Sequence, residues 1–147
     1  MKKLSETYKE LGIEFTFPVE IRNSNGNKTY YENSKGHWRK REYDTNSNET
    51  YYESSAGQWC KREYDTNSNE TYYEDSDGIW SKQEYNANGN QTYFEDSDGY
   101  WWKKEYDADG NETYYENSDG NIEGTKRGTC DGKVIVVDGK KYKLTEL

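Results

Sequence analysis

One histidine, two cysteines and a large, evenly spread set of carboxylates are all that this sequence offers to acid–base, nucleophilic or metal chemistry. His37 is the sole imidazole, and it sits beside Trp38 at a position that changes from one copy of the surrounding motif to the next. Cys60 occupies a column otherwise filled by Arg39, Ser81 and Trp102, which reads as a tolerated surface position rather than an activated nucleophile. Cys60 and Cys130 have neither the spacing of a metal site nor that of a disulfide framework. A hydrolase would gather a pair of acids at one special place. Here the acids recur along a framework, so the sequence argues against an enzyme and implies no cofactor.

Two further patterns look like chemistry and have plainer explanations. The acidic runs DADGNE (107–112) and DSDG (75–78 and 96–99) resemble the start of a calcium loop. No bidentate Glu closes a 12-residue loop, however, and Asp, Asn and Gly are the residues that tight turns require. No metal site is therefore expected. Asn27, Asn48, Asn69, Asn90 and Asn111 each open an N-x-T triplet. Without a secretory signal these read as turn followed by strand rather than as glycan acceptors.

What must position these residues is a tandem repeat. Residues 42–62 are EYDTNSNETYYESSAGQWCKR, 63–83 EYDTNSNETYYEDSDGIWSKQ and 84–104 EYNANGNQTYFEDSDGYWWKK. Outlying copies stand upstream at 21–41, IRNSNGNKTYYENSKGHWRKR, and downstream at 105–125, EYDADGNETYYENSDGNIEGT. Each unit holds two turn signals, an Asx/Gly cluster and an x-S-x-G segment. Between them lie T-Y-Y-E and W-x-K-x-E-Y, both patterned as strands. The prediction is an all-β, elongated antiparallel meander of two-strand hairpins, open or solenoid-like, with about ten strands. A four-residue loop at Ser54–Gly57 would pair Tyr52 with Trp59, Tyr51 with Cys60 and Thr50 with Lys61. Thr50, Tyr52, Trp59, Lys61 and Glu63 would then share one face, and Tyr51, Glu53, Cys60, Arg62 and Tyr64 the other.

Composition agrees with a sheet lacking an aliphatic core. Hydrophobic residues are only 29 % of the chain, yet 16 % are aromatic, enough to build a sheet from cross-strand rings and cation–π pairs. Residues 1–20 read as an N-terminal cap, with a helix from Ser5 to Leu11, Ser5 as its N-cap and Gly12 behind it. A strand over Glu14–Ile21 follows, with Pro18 suited to an edge. Residues 21–125 are the five repeats. Residues 126–147 form a second cap whose KVIVV-DG-KKYKL run is a hairpin turning at Asp138–Gly139. A net charge of −9 disfavours duplex nucleic acid and suits a basic protein partner. The absence of a long apolar run gives no membrane span or signal peptide, and the expected setting is the cytoplasm of a bacterial host.

The Trp and Tyr columns form part of the scaffold, and the positions flanking each Trp vary. Ile79, Trp80, Tyr100, Trp101 and Trp102 are the densest apolar group in the repeats, and with Trp59 and Trp38 they are the expected partner-binding residues. The EYDADGNETYYENSDGYW-type unit resembles the Tyr-Asp repeats of large bacterial surface and toxin shells and the MORN-like repeats of small bacterial proteins. It is also similar to the aromatic repeats of choline- and glucan-binding modules. Including its FTFPVEI entry and DGKKYKL exit, the chain resembles small phage and prophage proteins, among them anti-CRISPR inhibitors of the kind that act on type VI-B RNA-cutting effectors. That resemblance implies a non-enzymatic inhibitor partnered with a host CRISPR effector nuclease or other defence protein; a monomer is favoured, the oligomeric state being open. A carbohydrate- or cell-wall-binding module is the alternative.

Overall fold

The computed structural model describes residues 3–126 and 134–143. A short helix α1 (Leu4–Glu10) precedes eleven strands. They are β1 (Val19–Arg22), β2 (Lys28–Glu32), β3 (Trp38–Tyr43), β4 (Glu49–Ser54), β5 (Trp59–Tyr64), β6 (Glu70–Asp75), β7 (Trp80–Tyr85), β8 (Gln91–Asp96), β9 (Trp101–Tyr106), β10 (Glu112–Asn117) and β11 (Ile122–Gly124). They form one open antiparallel sheet in strict chain order, so each 21-residue unit supplies two neighbouring strands. A separate hairpin, β12 (Val134–Val137) and β13 (Lys140–Lys143), turns at Asp138 and Gly139, both at positive φ as a type I′ turn requires. Cys130, Lys133 and Leu144 of the expected C-terminal cap lie outside the described residues.

The hairpin register differs by one residue from the expected pairing. Glu53 opposes Trp59, Tyr52 opposes Cys60 and Tyr51 opposes Lys61. The cause is the loop. The Ser54 N–H donates to the Gln58 carbonyl at 2.9 Å, and the Gly57 N–H to the Ser54 carbonyl at 3.0 Å. This is a three-residue connection, a type I turn closed by a residue in the left-handed region, and Gly57 at φ +83° fills that place. The Asx/Gly cluster at the other ends of the strands uses the same geometry: Asp44 N–H to Asn48 C=O at 3.0 Å, Ser47 N–H to Asp44 C=O at 3.2 Å. There the left-handed residue is Gly26, Gly89 or Gly110, but also Ser47 (φ 69°) and Ser68 (φ 66°). Ser47→Gly should therefore stabilise the protein by about 0.5–1 kcal/mol, and Gly78→Val, at φ +81°, should destabilise it by about 1–3 kcal/mol. Thermal melts of the two variants, shifted in opposite directions, check both.

Backbone bonds at recurring positions lock these turns to their neighbours. The loop Ser of the last four x-S-x-G segments extends the ladder past the strand end. Ser55, Ser76, Ser97 and Ser118 donate their N–H to the carbonyls of Trp38, Trp59, Trp80 and Trp101, all at 2.9 Å. The invariant Thr marks a β-bulge. In the β3–β4 pair Glu42 opposes Tyr51 and Tyr43 opposes Glu49, which leaves Thr50 unpaired, and the same shift recurs at Thr71, Thr92 and Thr113.

Register and bulge together sort the repeat onto two faces. One carries Tyr51, Glu53, Trp59, Lys61 and Glu63 and their equivalents. Its Tyr51 and Glu53 columns are the same in all five units, and its Trp, Lys and Glu63 columns in four. We call it the constant face. The other carries Glu49, Tyr52, Ser54, Cys60, Arg62 and Tyr64 and their equivalents, and most of its columns change from unit to unit. This is the variable face. Trp59 and Cys60 have thus exchanged faces relative to the four-residue-loop expectation. Few side chains are fully buried, Val19, Tyr30, Cys60 and Tyr114 being the apolar ones among the described residues. The sheet is held by its ladder, by cross-strand rings and by cations set over them.

Helix α1 covers the first unit's end of the constant face. It starts one residue earlier than predicted, with Lys3 as N-cap and no side-chain capping bond. Ser5 is not a cap, because its side chain is committed elsewhere. Its hydroxyl donates to Glu32 Oε1 at 2.5 Å and its N–H to Oε2 at 3.1 Å. The Leu4 N–H reaches the Tyr30 hydroxyl at 3.2 Å, and Tyr30 donates to Glu32 Oε2 at 3.0 Å. The helix closes as expected at Gly12 (φ +68°), with Ile13 N–H on the Tyr8 carbonyl and Gly12 N–H on that of Lys9. Residues 14–18 are not a strand. Phe15 packs edge-on against Tyr8 and Phe17 instead, at 5.7 and 5.2 Å between ring centres, and β1 begins at Val19.

Candidate functional site

On the constant face every unit repeats one arrangement. A Tyr hydroxyl faces the Glu two residues on, as in Tyr51–Glu53 (3.3 Å), Tyr93–Glu95 (3.2 Å) and Tyr114–Glu116 (2.5 Å). In the three middle units the Lys two residues after the Trp folds back over the indole: Lys61 over Trp59 at 5.5 Å, Lys82 over Trp80 at 5.2 Å, Lys103 over Trp101 at 5.3 Å, whereas Lys40 lies over Tyr51 at 5.5 Å. Each such contact adds about 0.5–1 kcal/mol. Of the expected partner-binding residues, Trp59, Trp80 and Trp101 lie on this face, with Trp38 in the same column. They belong to the scaffold's repeating pattern.

The variable face changes character along the array. In the middle, Arg62 is shared between Glu49 (3.1 Å) and Glu70 (3.3 Å) and lies over Tyr73 at 5.3 Å, while Arg41 holds Glu49 at 2.9 Å. Cys60 is buried beside this network. Burial pushes its thiol up, with Arg62 opposing, so the thiolate that a nucleophile needs is disfavoured. Tyr64 and Tyr106 anchor the same face by donating to the carbonyls of Glu49 and Gln91, at 3.1 and 2.9 Å.

Toward β8–β10 the face becomes aromatic. Trp102 on β9 opposes Phe94 on β8, and their rings stack with centres 6.0 Å apart and planes 14° from parallel. Lys104 lies over both Trp102 (5.1 Å) and Tyr115 (5.6 Å) and pairs with Glu112 at 2.8 Å. Tyr100 folds from the loop onto the same patch: its hydroxyl is 3.2 Å from that of Tyr115, and Asn117 Nδ2 donates to Tyr115 at 3.0 Å. Trp102, Phe94, Tyr115 and Tyr100 are all half-buried. Two residues of this cluster, Trp102 and Tyr100, are among the expected binding residues. Trp80 and Trp101 are on the opposite face, and Ile79 stands 51 % exposed in the β6–β7 loop. Phe94 and Tyr115 were missed because they look like ordinary members of the invariant T-Y-Y-E run. Only the register puts them against Trp102.

The acidic turns are occupied by their own backbone. Asp44 accepts the N–H groups of Asn46 and Asn48 at 2.8 and 2.9 Å and the Asn48 side-chain amide at 2.9 Å. Those donors, the Asn48 side chain first, hold its carboxyl below the usual range, and Asp65 and Asp107 behave alike. Among the described residues no group of three or more His, Cys, Asp or Glu is placed to hold a metal ion, and no helix is long and apolar enough to cross a membrane.

The buried carboxylate Glu32 makes the docking of α1 sensitive to acid. Burial raises its pKa, but the Ser5 hydroxyl and N–H and the Tyr30 hydroxyl outweigh that, and the net shift is downward. A depressed carboxylate contributes its stabilisation above the unfolded pKa, near 4.5, and loses it as pH falls through the folded value. Docking of α1 should therefore be intact at pH 5 and above and fail progressively in more acid solution. Hydrogen exchange at the Leu4 and Ser5 amides across that range measures it.

Neither a protein-family model nor a curated protein sequence matches this chain. Among solved structures it is similar to TcdB2-TccC3-Cdc42, at 14 % identity and a TM-score of 0.50 over 67 % of this chain. It is also similar to TcdB2-TccC3-TEV, at 12 % identity and a TM-score of 0.51 over 80 % of this chain. The matched stretches are 5 % and 6 % of those chains. At such identities the likeness is one of fold: a tandem antiparallel β-hairpin repeat.

Proposed function

We propose that this chain is a non-enzymatic protein-binding inhibitor whose docking surface is the variable face around Trp102. The observation that carries this reading is the Phe94–Trp102–Tyr115–Tyr100 cluster, an aromatic patch at one place in an otherwise periodic sheet. Half-buried aromatics gathered on a rigid sheet are the usual anchors of a protein interface. A repeated surface would suit a repeated ligand, whereas a singular patch suits a singular partner. The partner toward which the sequence resemblance points is an RNA-guided, RNA-cutting defence nuclease of a bacterial host, held so that guide or target RNA is not used productively. The net charge of −9 supports a basic partner surface of that kind.

The test is RNA cleavage by purified type VI-B effectors with the chain added in stoichiometric amounts, beside a direct binding titration. Full cleavage and no complex with any of them would remove the inhibitor reading. The carbohydrate alternative has less support, since lysines cover the Trp column of the constant face. Hits on a glycan array that vanish in Trp80→Ala would restore it.

A further inference from the structure

Charge is distributed very unevenly along the repeats. The first unit (21–41) carries six Lys and Arg against one Glu, Glu32. The third (63–83) carries six acids and one Lys, and the fifth (105–125) seven acids and no cation. On an acidic chain the first unit is thus a basic island. Its variable-face side chains enclose a cleft of about 520 Å³, lined by Lys28, Tyr31, Asn33, His37, Arg39 and Arg41 with no carboxylate among them.

Two of these cations are paired with carboxylates that do not line the cleft, and the third is not. Lys28 and Arg41 each hold a carboxylate outside the cleft, Glu20 at 2.6 Å and Glu49 at 2.9 Å. Arg39 is exposed, and among the described residues no carboxylate lies within ion-pairing distance of it. The Asn33 side chain accepts the N–H groups of Lys35 and His37 at 3.0 and 3.1 Å, which fixes His37 at the rim. Tyr31 opposes Arg39 across the β2–β3 pair and gives the cleft an aromatic wall, with the Lys28 ammonium over its ring 5.3 Å from the centre. In later units the Arg39 column is Cys60, Ser81, Trp102 and Glu123, so the arrangement exists once.

We infer that this cleft binds a nucleotide-sized phosphate ligand: a nucleoside phosphate or the terminal phosphate of a single strand. Guanidinium forks of Arg39 and Arg41 match phosphate oxygens in shape as well as charge. The Tyr31 ring and the Lys28 stem over it offer a base or sugar apolar contact that inorganic phosphate cannot use. The volume suits one such ligand. Length is limited by the neighbours. A unit spans two strands, about 10 Å, roughly one Debye length at 0.1 M salt. A small anion in the cleft is screened from the acidic third and fifth units, whereas a duplex running along the sheet meets them directly.

The experiment is a titration of the whole chain, by amide chemical shifts, with inorganic phosphate, a 5′-mononucleotide, 5′-phosphorylated and 5′-hydroxyl tetranucleotides, and a decamer of glutamate. The expected result is saturable shifts at Tyr31, His37 and Arg39, with the mononucleotide at least fivefold tighter than inorganic phosphate. Loss of the 5′-phosphate should weaken the tetranucleotide where a strand end is the ligand; equal binding of free mononucleotide and phosphorylated strand identifies the nucleoside phosphate itself. Arg39→Ala should weaken binding at least tenfold and Arg39→Glu should abolish it, both with unchanged melting. Raising salt from 50 to 200 mM should cost about five- to tenfold, as for two phosphate contacts on a single strand. Binding of the glutamate decamer alone, affinity indifferent to Arg39, or no shifts with any phosphate probe at 10 mM would each overturn the inference. The aromatic patch at β8–β10 plays no part in this titration, so its fate and that of the protein-binding reading separate cleanly.

Discussion

Glu32→Ala should release helix α1 from the sheet and leave the other four units folded. The substitution removes the one carboxylate that receives the Ser5 hydroxyl, the Ser5 N–H and the Tyr30 hydroxyl, in a side chain only 1 % exposed. Hydrogen bonds to a charged acceptor contribute about 1.5–3 kcal/mol each, and donors left behind in a buried place carry a further penalty. Even one such bond's worth, about 3 kcal/mol, moves the docked population by more than a hundredfold. Amides from Tyr8 to Ile13 should exchange about a hundredfold faster, while those of β6–β9 keep their protection. Glu32→Gln keeps an acceptor and should lie between. Glu53→Ala, the same column one unit on where no helix sits, should leave α1 exchange unchanged. Slow exchange of α1 in Glu32→Ala would show that Phe15 and its aromatic neighbours hold the helix without the carboxylate.

Trp102→Ala is expected to have the larger effect on binding. Truncating a central aromatic anchor costs about 2–3 kcal/mol, or thirty- to a hundredfold or more in affinity. Stability should fall much less, by about 1–1.5 kcal/mol, because Trp102 is half-buried and its main packing partner is the single Phe94 ring. Trp80→Ala on the opposite face is the control. It removes a ring of equal size from a column covered by Lys82, and partner affinity should change less than threefold. A Trp80 effect equal to that of Trp102 would move the interface to the constant face.

The repeat, its two strands per unit and the open antiparallel order were legible from turn residues and alternation alone. The register was not. The x-S-x-G segment reads as a four-residue loop, but Gly57 closes a three-residue one, and a shift of one residue makes Trp59 and Cys60 exchange faces. The clue was present: Ser, Asp or Asn at the first place and Gly at the fourth is the signature of a type I turn. The invariant Thr gave no local sign that it marks a bulge. Ser5 reads as an N-cap because a cap and a tertiary donor look alike in sequence. The aromatic cluster was half legible: Trp102 and Tyr100 stood out by composition, while Phe94 and Tyr115 depended on pairing across strands.

Because both kinds of turn share one geometry, a unit begins and ends in the same way and can be copied or removed as a block. The basic cleft lies on β2–β3 and the aromatic patch on β8–β10, with whole units between them. Duplicating residues 63–83 would move the two apart by about 10 Å, two strand spacings, without touching a residue of either. The array then works as a ruler, and a partner that must meet both marks at once would read its length.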